Sequence, residues 1–144
     1  MKTGSQMIFD LTKSLQEQEN DDWGMPTRTT NMAKECHRLR RKPLQDFTPA
    51  NLDVMIGQEI SLEYLVPMAL DVLTENPFLR SRNYHSDLLR TVLRIEPEFW
   101  KNEPELWWMF AEIVIDLEFL QEMLVTEFPS AIQNFQSVNK PSQQ

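Results

Sequence analysis

The chain has 144 residues, 41% of them hydrophobic and 25% charged, which excludes a compositionally disordered protein and favours one folded domain over 1–144. Its formal charge of −8 disfavours direct nucleic-acid binding and favours a basic protein partner. The single cysteine, Cys36, excludes an internal disulfide. The sequence shows neither a signal-like apolar core nor a run of about 18 apolar residues, so we expect a cytoplasmic protein that does not enter a membrane.

Helix signals dominate the first third of the chain. Apolar residues at spacings of three and four predict a first helix over 7–19, after a weakly ordered stretch over 1–6. The sequence ENDDWGMP ends this helix with four polar residues, a glycine and a proline. A second helix over about 30–42 is predicted to stop at Pro43 and to turn three residues toward the core: Met32, Cys36 and Leu39.

Two helices follow in the middle of the chain. Thr48 is a fitting N-cap, Pro49 suits the first helical position, and Gly57 is expected to end that helix in a left-handed conformation. The next helix lies in SLEYLVPMALDVLTENP, where Pro67 either kinks the helix or marks its start.

The last third contains the longest predicted element. After a helix over about 85–95, the pattern EPEFW at 96–100 recurs as EPELW at 103–107, and each Glu-Pro-Glu is typical of a helix start. The second copy opens a helix over 104–126, followed by a weakly ordered tail over about 130–144. We therefore expect an all-α fold, a single-domain helical bundle of about five to seven helices with a long C-terminal helix.

The segment KECHRLRRK at 34–42 contains five basic residues and one acidic residue, whereas the rest of the chain has a formal net charge of −12. On a helical wheel four of the five lie opposite the apolar side, within about 100°. Arg40 lies off that arc, and we expect its stem to cover the edge of the core while its charged end remains in water. The segment is thus interpreted as the basic, solvated face of an amphipathic helix. Ion pairs with the protein's own acidic segments and nucleic-acid binding are the alternatives.

No pattern predicts catalysis or metal binding. Cys36 and His37 are adjacent, so on a helix their side chains point about 100° apart, which is unfavourable for a thiolate–imidazole pair. With one cysteine and two histidines, zinc-ligand spacing is missing, as are phosphate-loop and hydrolase motifs. We expect no catalytic residue, no cofactor, no metal site and no enzymatic activity.

Two segments combine carboxylates with aromatic residues, which is typical of protein interfaces. On the long helix four acidic residues cluster within about 60°: Glu105, Glu112, Asp116 and Glu127. A further side carries Trp108, Ile115 and Phe119, while a neighbouring stripe of Ile113, Leu117, Leu120 and Leu124 is predicted to face the core. The alternative is that this helix is simply the central helix of the bundle.

The second such segment is the first loop. Asp21, Asp22 and Trp23 are candidate contacts for a basic partner. The alternative is a solvated turn with Trp23 packed into the bundle.

Four segments in order resemble a known family: LTKSLQEQENDDWG, CHRLRRKPLQDFT, MIGQEISLEYLVPMALDVL and LLRTVLRIEPEFW. They resemble small bacterial immunity proteins of contact-dependent growth inhibition (CDI) systems, over about residues 11–100. Members typically have a turn similar to FYPGDLL, whereas this chain has NYHSDLL, which keeps Tyr84 and Asp87 and lacks the Pro-Gly. A reshaped loop is expected there.

The resemblance implies a binding function. Such a protein binds the C-terminal toxin domain of a cognate surface exoprotein and neutralises it in the cytosol of the producing cell. These toxins are often basic nucleases, commonly ribonucleases attacking tRNA, and an EndoU-like ribonuclease is the expected subclass. The resemblance implies a 1:1 complex that occludes the active or substrate-binding site. The alternative is a non-enzymatic helical adaptor for another basic cellular protein; a homodimer is permitted but not required by the apolar surplus of 104–126.

Overall fold

The computed structural model describes residues 9–27, 30–80 and 87–138. These ranges form eight α-helices and one short 3₁₀ turn, and they contain no named strand: α1 Leu15–Glu19, α2 Asn31–Leu39, the turn Leu44–Asp46, α3 Pro49–Gly57, α4 Leu62–Glu75, α5 Asp87–Leu93, α6 Pro97–Asn102, α7 Pro104–Thr126 and α8 Pro129–Gln136. The all-α prediction and the long helix near the C-terminus are confirmed. The described residues contain one helix more than the expected maximum of seven, because α8 forms where a weakly ordered tail was expected.

The first helix is shorter than the predicted 7–19. Ser14 acts as its N-cap, accepting a hydrogen bond from the Glu17 amide at 3.2 Å, while the Ser14 amide donates to the Glu17 carboxylate at 2.9 Å. This capping box starts the helix at Leu15 and so overrides the apolar spacing that suggested an earlier start. The preceding residues pair instead with the 3₁₀ turn, whose Leu44 amide donates to the Lys13 carbonyl at 3.1 Å.

Helix α3 begins as predicted, and its end differs in detail. Thr48 accepts from the Asn51 amide and Pro49 occupies the first turn. Gly57 is the last helical residue, but it is not in the left-handed region; Glu59, two residues later, adopts φ 54°. The expected left-handed glycine was therefore wrong. Pro67 lies inside α4, five residues after its first residue, so it does not mark the helix start.

The chain divides into two compact units, one ending at Met109 and the other beginning at Phe110. In the first unit, α3 packs against α2, α4 and α5, and α4 also packs against α5. The side chains between these helices are almost wholly buried: Leu39, Leu52, Met55, Ile56, Leu65, Val66, Ala69, Leu70, Leu73, Leu88 and Val92. This apolar core supports the loops and helix ends that face solvent.

The second unit contains the rest of α7, followed by α8. Of the predicted core stripe, Ile113 is buried, whereas Leu124 is 45% exposed and was wrongly assigned to the core. Helix α8 lies where we expected a weakly ordered tail, and all of its residues are exposed. Residues 1–6, 139–144 and most of the NYHSDLL loop, with His85, lie outside the described residues.

Arg40 is the largest departure from expectation in the first unit. Its side chain is only 2% exposed, and its guanidinium bonds the Glu19 carboxylate through Nη1 and the Asp21 carbonyl through Nη2 at 2.6 Å. Ser61 completes the cluster, since its hydroxyl donates to Glu19 at 2.8 Å and lies 3.5 Å from Nη1. The expectation that the charged end of Arg40 remains in water was wrong.

The local reason is the position of Arg40 at the C-cap of α2. Arg40 still has helical dihedrals and its amide donates to the Cys36 carbonyl at 3.0 Å, so the helical wheel holds there and places its side chain about 40° from Cys36, beside the apolar side of α2. The Arg40 carbonyl accepts from the Gln16 amide at 2.9 Å, which brings this residue against α1. A buried guanidinium requires acceptors, and Glu19, Asp21 and Ser61 supply them from two other segments.

We expect Arg40→Met to lower the free energy of unfolding by about 2–4 kcal/mol, because it leaves the Glu19 carboxylate and the Asp21 carbonyl without their buried donor. Urea denaturation measures this change. Arg41→Ala is the matched control, since Arg41 is 48% exposed and its loss should cost less than about 1 kcal/mol. Equal effects of the two substitutions would contradict a structural role for the buried guanidinium.

We also expect Cys36 to react slowly in the folded protein. The thiol is 4% exposed, and burial, reinforced by the nearby Glu35 carboxylate, raises the pKa of Cys36 above its usual value. Both effects reduce the accessible thiolate, so alkylation by iodoacetamide at pH 8 should be more than about 10-fold slower than in urea. Mass spectrometry of timed samples gives the two rates, and similar rates would show that α2 does not bury this residue.

Candidate functional site

The first predicted contact segment, Asp21–Trp23, is positioned by the protein's own arginines. The Trp23 ring lies 4.3 Å from the Arg40 guanidinium carbon and meets the His37 ring edge to face at 5.2 Å. Trp23 is nevertheless 40% exposed, so it is neither free in solvent nor packed into the core. The loop therefore holds a partly exposed indole in a supported position.

The two carboxylates of this loop are exposed but partly compensated. Asp21 lies 4.0 Å from Arg40 and Asp22 lies 3.8 Å from Arg41, and their side chains are 63% and 65% exposed. Asp22 also accepts a hydrogen bond from the Gly24 amide at 2.7 Å, which fixes the turn. Because nearby arginines offset part of their charge, these carboxylates attract a basic partner less strongly than isolated ones would.

The basic segment at 34–42 is occupied largely by internal contacts. Arg38 forms two hydrogen bonds to Glu35, at 2.6 and 2.9 Å, and Lys42 donates to the Asn51 side chain at 2.8 Å. Arg41 donates to the Gly24 carbonyl at 3.0 Å. Together with the buried Arg40, these contacts support the alternative of ion pairs with the protein's own acidic residues, while Arg38 and Arg41 remain 57% and 48% exposed.

The adjacent Cys36 and His37 do not form a catalytic pair. Cys36 is buried, whereas the Nδ1 atom of His37 lies 3.3 Å from the Gly24 carbonyl and its ring contacts Trp23. In the part of the chain that the structure describes, no group of three or more His, Cys, Asp or Glu residues is arranged to hold a metal ion. No helix within 9–27, 30–80 and 87–138 has the length and hydrophobicity of a membrane span.

An open groove of about 580 Å³ lies at the junction of α5, α6 and α7, entirely within the first unit. Its lining is mostly apolar and aromatic, and includes Leu93, Ile95, Trp100, Lys101, Trp107 and Trp108. Trp108 is 65% exposed and Trp107 46% exposed, and their rings meet edge to face at 4.8 Å and 88°. Such a cluster of exposed tryptophans is typical of a binding surface.

Of the predicted residues, Trp108 lines this groove, and Glu105 lies on the neighbouring surface of α7 without lining it. They lie three positions apart in the first turns of α7, so they are neighbours on the helix surface, and both are exposed. The sequence prediction missed Trp100 and Trp107. The signal was present, because EPEFW and EPELW place a tryptophan at the same position in each copy, immediately after a helix start.

The remaining predicted residues lie in the second unit. Glu112, Asp116, Phe119 and Glu127 are all exposed, and Phe119 is 63% exposed. Ile115 is 58% exposed and lies within about 40° of Phe119 around the helix. This part of α7 therefore presents exposed apolar side chains beside carboxylates, and their role as a contact strip stays a prediction.

Comparison with known protein families gives a match that lies within the first unit. A family model described as CDI immunity proteins matches residues 17–108, nearly two thirds of the chain. No curated protein and no solved structure matches the chain. The matched residues include the loop, the Arg40 cluster and the tryptophan groove. The chain belongs to the family of CDI immunity proteins.

Proposed function

We propose that this protein binds the C-terminal nuclease domain of its cognate CDI toxin and neutralises it by covering the active or substrate-binding site. The observation that carries the proposal is the family match over residues 17–108, because immunity against a CDI toxin is what that family does. The nuclease identity of the toxin, a 1:1 complex and action in the cytosol are parts of this proposal. A ribonuclease that attacks tRNA, of the EndoU-like type, is the proposed target.

The distribution of charge supports a basic partner. Residues 96–128 contain nine acidic residues and one basic residue, Lys101, and this segment accounts for the whole excess of negative charge. A nuclease needs lysine and arginine to bind phosphates, so its substrate cleft is positively charged. Exposed carboxylates on an acidic protein accelerate association with such a cleft and pair with its cations.

The exposed aromatic residues supply the second requirement of a tight complex. Sub-nanomolar binding needs more than about 12 kcal/mol, which is concentrated in a few buried anchors. Trp108 and Phe119 are among the large exposed side chains next to carboxylates. Under this proposal they enter the interface while the carboxylates set its orientation. The protein needs no cofactor and no catalytic residue to act in this way.

We expect the purified protein to bind the toxin domain encoded immediately upstream in a 1:1 complex and to abolish its cleavage of tRNA. Titration calorimetry gives the stoichiometry and the dissociation constant, and a ribonuclease assay on the same samples gives the inhibition. Without binding to that domain the cognate pair would be rejected, and the adaptor for another basic protein would become the leading function. If the protein binds the toxin domain without inhibiting it, the occlusion mechanism is rejected while the cognate pair stands.

We expect the double substitution Glu112→Lys and Asp116→Lys to slow association with the toxin domain by about 10-fold or more at low salt, because it reverses attractive charge at the interface. Stopped-flow fluorescence measures this rate. The matched control is Glu63→Lys with Glu75→Lys, two exposed residues of α4 that change the net charge equally. The same loss in both variants would assign the effect to net charge and not to the strip on α7.

A further inference from the structure

We propose that the tryptophan groove between α5, α6 and α7 is a seat for an arginine side chain of the toxin domain, with Trp108 stacking on the guanidinium and Glu105 pairing with its charge. This inference rests on the proposed function and specifies the chemistry of one contact. It places the seat inside the first unit and inside the region that matches the family.

The walls of the groove suit a long side chain with an apolar stem and a flat, charged end. Leu93 is 54% exposed and Ile95 is buried, and together they form an aliphatic wall. Trp107 and Trp108 form an aromatic wall whose two rings stand perpendicular to each other. An arginine combines three methylene groups with a planar cation that stacks on an indole face, so both walls find complementary surface.

Lys101 is the one charged residue among those that line the groove, and the carboxylates that could attract a cation lie in the sequence segments flanking the lining. Four carboxylates, Glu96, Glu98, Glu103 and Glu105, occur within the two Glu-Pro-Glu sequences that begin α6 and α7, against the single cation Lys101. Glu105 shares the exposed surface of α7 with Trp108. The net negative charge of these two sequences attracts a cationic occupant and repels an anionic one.

The chain already contains one arginine bound in the proposed manner. Trp23 stacks on the Arg40 guanidinium at 4.3 Å, while the Glu19 carboxylate bonds the same group. Indole and carboxylate from one segment thus bind an arginine supplied by another. Glu105 and Trp108 are a second indole and carboxylate, exposed and joined to no arginine by any contact described in the structure.

The test separates an arginine seat from a merely apolar contact. Binding of the toxin domain is measured by calorimetry for the wild-type protein and for Trp108→Phe, Trp108→Leu, Glu105→Gln and Lys101→Gln. Phe retains a π face and Leu does not, so we expect about a 3-fold loss or less for W108F and a loss of about 10-fold or more for W108L. Glu105→Gln should weaken binding about 3-fold, and Lys101→Gln should strengthen it, because that substitution removes a like charge beside the bound cation.

Phe78→Leu is the matched control for the tryptophan variants, since Phe78 is a 44% exposed aromatic residue outside the groove. It should change binding less than about 2-fold. A toxin domain labelled with ¹⁵N-arginine adds a direct measurement. One arginine Nε–H signal should shift upfield in the complex with the wild-type protein and lose that shift in the complex with W108L.

The outcomes distinguish the inference from the proposed function. If the wild-type protein does not bind the toxin domain, the proposed function fails and the seat fails with it. If the wild-type protein binds and inhibits the toxin domain but W108L binds it as tightly as W108F does, the arginine seat is wrong and the proposed function survives. Weaker binding of K101Q would show an anionic occupant and would likewise overturn the arginine seat.

Discussion

The buried guanidinium of Arg40 is the constraint on which the N-terminal part of the structure depends. Removing a guanidinium from water costs several kcal/mol unless acceptors replace the lost hydration. Here Glu19, the Asp21 carbonyl and Ser61 bond the two terminal nitrogens and the Trp23 ring covers the guanidinium, while the buried Nε has no hydrogen-bond partner among the described residues. Short elements such as the five-residue α1 have little stability of their own. The position of the loop at 20–24 therefore depends on Arg40, together with Arg41, which donates to the Gly24 carbonyl.

This arrangement changes how the acidic composition is understood. A net charge of −8 suggests a uniformly negative surface, yet Asp21, Asp22 and Glu35 each lie next to an arginine of this chain. The side-chain bonds from Arg38 to Glu35 lower the pKa of that carboxyl, which accordingly stays ionised in its ion pair. Uncompensated carboxylates are concentrated after residue 95, where Lys101 is the only cation up to residue 128. The field that would steer a basic partner thus originates mainly from α6 and α7.

Local signals in the sequence predicted the features that depend on local chemistry. Thr48 and Pro49 gave the start of α3, and the two Glu-Pro-Glu sequences gave the starts of α6 and α7. Prediction failed where a distant segment decides the outcome. The burial of Arg40 depends on Glu19 and Ser61, which lie 21 residues away on either side. The tryptophan groove requires α5 beside α6 and α7, which no spacing within one helix reveals.

The family match covers one of the two candidate binding surfaces and excludes the other. The match ends at Trp108, so it includes the groove, Glu105 and the loop at 21–23, and it excludes Glu112, Asp116, Phe119 and Glu127. Under the proposed function, an immunity protein must bind a nuclease and must also reject the toxins of other systems. An arginine seat meets the first requirement, because every nuclease that binds phosphates offers basic side chains. Discrimination needs contacts that differ between systems. The exposed apolar and acidic strip of the second unit lies outside the matched region, so under the proposed function we look there first for the contacts that distinguish this protein's toxin from others.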